Sequence, residues 1–191
     1  MTNERLLDFR VAILVTNGFE QAELEEPRKA LDEAGAITMV VSPQSRPVQG
    51  MNHSEKGDEF TVDLLLKDAN PENFDAVLLP GGAVNADNLR MNEDAREFVR
   101  AMDNSGKPIA VICHGPWLLV SAGLVKGRHL TSYHTLQDDI RNAGGNWTDK
   151  ETVLDQNWIS SRKPDDIPAF NRGMIQLFAQ RGKKARSASA T

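Results

Sequence analysis

The stretch Pro108-Ile-Ala-Val-Ile-Cys-His-Gly-Pro-Trp117 decides how this chain is read, because it holds the only cysteine, Cys113, among 191 residues. Residues 108–112 form a short apolar run of the length of a buried strand. Pro116 is a favoured first residue of a helix, and the apolar segment 117–122 follows it. The thiol therefore falls on a sharp strand-to-helix turn, where the unpaired N–H groups of the helix favour a thiolate or an oxyanion. His114, the next residue, is a candidate acid or base. The plain alternative is a small buried hydrophobe at the end of a core strand, the usual fate of a free cysteine.

Working outward, residues 11–15 read as a buried strand, followed by the loop Thr16-Asn17-Gly18-Phe19-Glu20. Leu24, Ala30, Leu31 and Ala34 have helical spacing, with Pro27 either starting or kinking that helix and Gly35 closing it. Strands are expected at 37–41, 75–79, 108–112 and 129–133, and as a pair at 152–154 and 157–160. Helices are expected at 93–102, 117–122, 136–143 and 167–179. The polar, turn-rich stretch 42–59 is long for a connector, which points to a pocket or an interface. Alternating strands and helices predict a mostly parallel sheet covered by helices on both faces, with ligands at the carboxyl ends of the strands. One α/β domain over residues 10–180 is expected, with flexible termini at 1–9 and 181–191.

A formal net charge of -5 argues against a nucleic-acid partner held through backbone charge. A lone cysteine excludes an intramolecular disulfide, as is ordinary in a reducing cytosol. No apolar run approaches the ~20 residues that cross a bilayer. These features predict a soluble cytoplasmic protein with neither membrane nor nucleic-acid partner.

Glu20, just past the first strand, is a candidate proton carrier for the sulfur, although Glu23, Glu25 and Glu26 offer the same chemistry and an acid near a helix N-terminus needs no catalytic reason. The pair Gly81-Gly82 permits close backbone approach and oxyanion-binding N–H groups, or simply a tight turn. His53, His129 and His134 are further candidate bases, His134 the best placed, and Trp117 packs in the core or walls the pocket. One cysteine and no His or Cys pair at ligand spacing leave no zinc site. No cofactor is implied.

Five segments in order resemble the ThiJ/PfpI superfamily, and within it the PfpI branch of intracellular cysteine peptidases and general stress proteins. They are Val11-Ala-Ile-Leu-Val-Thr-Asn-Gly-Phe-Glu-Gln-Ala-Glu-Leu24, Leu78-Leu-Pro-Gly-Gly82, Ala110-Val-Ile-Cys-His-Gly-Pro-Trp117, Leu130-Thr-Ser-Tyr133 and Asn157-Trp-Ile-Ser-Ser-Arg162. The resemblance implies a flavodoxin-like three-layer sandwich, similar to class I glutamine amidotransferases, with Cys113 at the nucleophile elbow. Val111 stands where the amidotransferase turn Gly-x-Cys-x-Gly has its first glycine. It also implies that Glu20 is the carboxyl group touching Cys113. His114 would be oriented by an acid of a neighbouring subunit, carried by the loop at 83–90; here that acid is Asp87 in place of a glutamate. The site would then be complete only in a homo-oligomer, at least a dimer.

The expected enzyme attacks small reactive carbonyls, or their early adducts on amino groups, through the Cys113 thiolate. Glu20 and His114 would move protons, and the N–H groups of Gly82 and His114 would hold the oxyanion, with Gly81, Trp117 and His134 around the substrate. Two alternatives share the thiol: a cysteine peptidase using Cys113, His114 and Asp87, and a redox sensor or chaperone-like stress protein acting through oxidation of Cys113.

Overall fold

Alternate residues along the central strands point to opposite faces, and that alternation builds two cores. The structure, a computed structural model, describes residues 6–188, the side chains of 182–188 excepted. The chain runs β1 (Arg10–Leu14), β2 (Phe19–Glu20), α1 (Gln21–Glu33), β3 (Ile37–Ser42), β4 (Val48–Asn52), β5 (Glu55–Phe60), β6 (Leu64–Leu65), β7 (Ala76–Leu79), α2 (Ala83–Met91) and α3 (Glu93–Asn104). It continues through β8 (Ile109–Ile112), α4 (Pro116–Ser121), β9 (His129–Leu130), α5 (Gln137–Asn142), β10 (Asn146–Trp147), β11 (Thr152–Asp155), β12 (Trp158–Ser161) and α6 (Ile167–Ala188).

The main sheet has the order β11-β12-β8-β7-β1-β3-β6. All neighbours pair in parallel except β11 with β12, which pair antiparallel. Val11, Ile13, Leu78, Ala110 and Ile112 face one layer, where they meet Leu24 and Leu31 of α1 and Phe170, Met174 and Phe178 of α6. Ala12, Leu14, Val77, Leu79 and Val111 face the other, against Phe98 and Met102 of α3 and Leu118 and Leu119 of α4. This is the expected three-layer α/β sandwich with flavodoxin-like strand order. The chain moves outward from β1 to β3 and β6, then returns to β7 on the other side of β1. The carboxyl ends of β1, β7 and β8 lie beside that reversal, where such sheets bind ligands.

Several local expectations change. Residues 83–90, read as a loop, form most of α2; Gly82 precedes it with φ 85°, and its apolar residues are spread around the helix rather than gathered on one face, which hides its helical period. Helix α1 begins at Gln21, ahead of Pro27, which lies buried within it. The 42–59 stretch contains the hairpin β4–β5, which adds to β2 as a separate small sheet. Gln21 fastens it: its Oε1 accepts the Asp58 N–H at 2.7 Å and its Nε2 donates to the Asp58 carboxylate at 2.9 Å.

Helix α6 continues to Ala188, past the expected end at Ala179. At the other end Leu6 and Phe9 are buried, and the Phe9 ring stacks on Phe178 at 5.7 Å. The remaining expected flexible ends, residues 1–5 and 189–191, lie outside the described residues. Among the described residues no helix is long and apolar enough to cross a membrane.

Phe170 is fully buried between α6 and the sheet. Phe170→Ala is expected to cost about 3–5 kcal/mol of folding stability, measured as a shift of the urea midpoint with little change in slope.

Candidate active site

Cys113 occupies the turn between β8 and α4 with φ 61°, a left-handed conformation rare for a residue with a side chain. Its backbone is tied on both sides: its N–H donates to the Ser161 carbonyl at 3.1 Å, and its carbonyl accepts the Tyr133 N–H at 2.9 Å. The strained turn lifts the thiol off the strand and to the floor of a cleft of about 500 Å³ at the carboxyl ends of β1, β7 and β8. Cys113 is 7 % exposed.

The turn after β7 lies against the sulfur. A Cβ on Gly81 would come within 2.6 Å of Cys113 Cβ and 2.6 Å of Glu23 Oε2, so only glycine fits there. Gly82 has the left-handed φ that turns its N–H to the sulfur, and the N–H groups of Gly82 and His114 both hydrogen-bond Cys113. These are the two backbone groups expected to form the oxyanion site.

The carboxyl group against the cysteine is that of Glu23, which replaces Glu20 in the expected contact. Glu20 is still in extended backbone, paired in β2 with Met51 of β4, and its side chain follows the hairpin: it accepts the His53 N–H at 3.1 Å. Glu23, in the first turn of α1, is fully buried, and its Oε2 accepts the Gly81 N–H at 2.7 Å. Helical period could have singled it out. Glu23, Leu24, Pro27 and Leu31 share the buried side of α1, whereas Glu25 and Glu26 face out.

Burial pushes the Glu23 carboxyl up to about 8, against hydrogen bonds from Gly81 and Cys113 that favour its charge; the charge of Glu20 adds to the rise. At neutral pH Glu23 therefore carries a proton. The Cys113 thiol is also pushed up, first by burial and then by an ionised Glu23, and is drawn down by the N–H groups of Gly82 and His114. A protonated Glu23 removes the repulsion and leaves the two N–H groups to hold a thiolate.

His114 Nδ1 lies 3.1 Å from the sulfur, brought there by the bend although the two residues are adjacent. Its ring stacks on Tyr133 at 4.7 Å and meets the edge of Trp117 at 5.4 Å. Burial, with a smaller contribution from His134, lowers its pKa, so the imidazole is neutral.

The DJ-1/PfpI family pattern matches residues 9–177. The chain belongs to the DJ-1/PfpI family. It is 42% identical over 169 residues to "Deglycase PfpI" of Pyrococcus furiosus, covering 88% of this chain and 99% of that one. It is 38% identical over 169 residues to "Putative cysteine protease YraA" of Bacillus subtilis, with 88% of this chain and 98% of the relative covered. In fold it superposes on Drosophila melanogaster DJ-1beta with a TM-score of 0.82 at 23% identity, covering 97% of this chain and 99% of the other.

Within this DJ-1/PfpI site the pocket walls differ from expectation. Gly81, Trp117 and His134 do not line the cleft; Tyr133, Val84, Met51, His53 and Lys163 do. Gly81 lies behind the sulfur, holding Glu23. Trp117 donates its Nε1–H outward to Asp139 at 2.8 Å and backs His114 from the far side. His134 is exposed beyond the Tyr133 ring, 4.5 Å from it. The hairpin residues Met51 and His53 show that the 42–59 stretch serves the cleft. Asp87 is exposed on α2; among the described residues no hydrogen bond or ion pair joins it to His114.

Glu23 also sets a pH signature. Its folded pKa is raised from 4.5 to about 8, so the folded state holds a proton that the unfolded chain releases. The resulting stability is complete below the ordinary carboxylate pKa and is lost as pH rises through about 8. Glu23→Gln, neutral at every pH, is expected to flatten that loss. Melting temperatures of both proteins across this window should show the wild type losing ground to the variant as pH rises.

Proposed function

We propose that this protein is a cysteine-dependent enzyme that acts on small dicarbonyls such as methylglyoxal and on their early adducts with amino groups. The observation that carries this reading is the pairing of Cys113 Sγ with a proton-bearing Glu23 and two inward N–H groups at the floor of an open cleft. A thiolate formed there attacks the aldehyde carbon, and the carbonyl π pair moves to oxygen, which takes the proton supplied through Glu23. His114 then takes the carbinol C–H proton, giving an enediol that is reprotonated at the neighbouring carbon. Water cleaves the resulting thioester to a 2-hydroxy acid and regenerates the thiol. With an amine adduct, the amine leaves and the same overall addition of one water gives free amine and hydroxy acid. The similarity to a relative named a deglycase supports this choice.

In this reading the active unit is at least a dimer. His114 Nδ1 is engaged with sulfur, which leaves Nε2 for an acid from outside. Asp87 stands exposed on α2 between Val84 and Met91, apolar side chains 60% and 76% exposed on the same helical face. That face suits contact with a second copy, whose His114 Asp87 would orient. The similarity to a relative named a putative cysteine protease favours peptide hydrolysis as the second reading for the same residues.

Methylglyoxal consumption by freshly reduced protein tests the first reading. Turnover far beyond about one equivalent is expected for the wild type and none for folded Cys113→Ser. Consumption that stops near one equivalent would overturn it and leave peptide hydrolysis or thiol oxidation as the role of Cys113. The shared site has its own test. Cys113→Ser mixed with Asp87→Ala after subunit exchange should regain part of the activity that each lacks alone, because one site of each mixed dimer has every group. No recovery despite exchange would place Asp87 outside the site.

A further inference from the structure

With Glu23 at the sulfur, Glu20 is left in the cleft without the task the sequence assigns to it. Its carboxyl group lines the same cavity as Cys113 and is 13% exposed. Although it stands at the N-cap of α1, it makes no capping hydrogen bond, so satisfying the helix end does not account for it. Its backbone donor is the His53 N–H, at 3.1 and 3.4 Å from its two oxygens. The His53 ring is a loose neighbour, 3.8 Å away and 85% exposed. A carboxylate offers roughly four acceptor positions, so most of this one's capacity is open to the cleft.

The charges around the cleft do not cancel it. Lys163 is already held by Asp165 at 2.8 Å, which removes one charge of each sign. Glu23 carries a proton at neutral pH. What remains is the negative charge of Glu20. Glu23 does not compete for that role: it is fully buried and its carboxyl group is engaged by the Gly81 N–H and by Cys113. The cleft thus presents one open carboxylate, Glu20, and, among the residues that line it, one lysine, itself paired.

We propose that Glu20 is a specificity-determining residue that receives the nitrogen side of the substrate, so that the site selects carbonyl adducts borne on amines or guanidines over anionic adducts and free carbonyls. This rests on the reading of Cys113 as the attacking thiol. In such an adduct the nitrogen is bonded to the carbinol carbon that is itself the reacting centre, and it carries N–H groups and, in a guanidine, a positive charge. An acceptor next to the thiol matches both. Glu23 then serves the sulfur and Glu20 the nitrogen, a division set by their surroundings: one buried within α1, the other turned toward the hairpin.

The lone cysteine makes the test direct. Methanethiosulfonates transfer a thioalkyl group to a thiolate: sulfur bonds to sulfur and methanesulfinate leaves with the electron pair of the broken S–S bond. Rates at Cys113 are measured for an aminoethyl (cationic), a methyl (neutral) and a sulfonatoethyl (anionic) reagent. The wild type should favour the cation over the anion, and Glu20→Gln should reduce that ratio about five- to tenfold. Lys163→Met should raise it, since a positive charge is lost. Because the whole protein is acidic, only the change between variants is diagnostic. Glu20→Thr is read alongside in case the glutamine variant folds poorly.

A ratio unchanged in both folded Glu20 variants overturns the assignment, and does so even if wild-type methylglyoxal turnover is robust. A Cys113 inert to all three reagents overturns the assignment together with the thiol reading beneath it.

Discussion

Everything at this site depends on one backbone constraint: Cys113 is held with φ 61° between a buried strand and a helix that starts at Pro116. A residue with a Cβ resists that conformation, at a cost of order 1–3 kcal/mol. The surrounding structure enforces it through the Ser161 carbonyl, the Tyr133 N–H and the crowding of Gly81 against the cysteine. Relaxing the turn would return the thiol to the sheet, where it would be another small apolar group. Keeping it places the sulfur where the N–H groups of Gly82 and His114 converge and where His114 Nδ1 can reach it.

The second determinant is the helix that follows β1. Its first turn carries Glu23 into the gap between the sulfur and Gly81, and burial there makes the carboxyl a proton store rather than an anion. Three residues earlier the chain is still extended, and Glu20 is drawn to the His53 turn. Two carboxyl groups of the same chemistry therefore acquire opposite characters. Depth of burial, not sequence proximity to the motif, decides which one handles the thiol's proton.

Much of this is legible in the sequence. The apolar run 108–112, Pro116 and the glycines predict the elbow, and the strand–helix alternation predicts the parallel sandwich around it, because both follow from local period and turn chemistry. The features that differ from the sequence expectation depend on tertiary context. Glu20 and Glu23 differ only in whether α1 has begun, and a two-residue strand pairing to a hairpin settles that. Helix α2 lacks a strong apolar stripe, and the side chains it leaves exposed include Val84 and Met91. Trp117 and His134 follow strand ends, as pocket residues often do, yet a bond to Asp139 and the Tyr133 ring carry them out of the cleft. Met51 and Lys163 line the pocket without any motif of their own, and Tyr133 joins them from the end of the segment Leu130-Thr-Ser-Tyr133.

The central claim is that Glu23 holds a proton beside Cys113 at neutral pH. The infrared difference spectrum of wild type minus Glu23→Gln reads it directly. A protonated carboxylic-acid carbonyl band present at neutral pH and lost as pH rises past about 8 is the predicted result. A difference spectrum that contains only carboxylate bands at neutral pH would contradict the account.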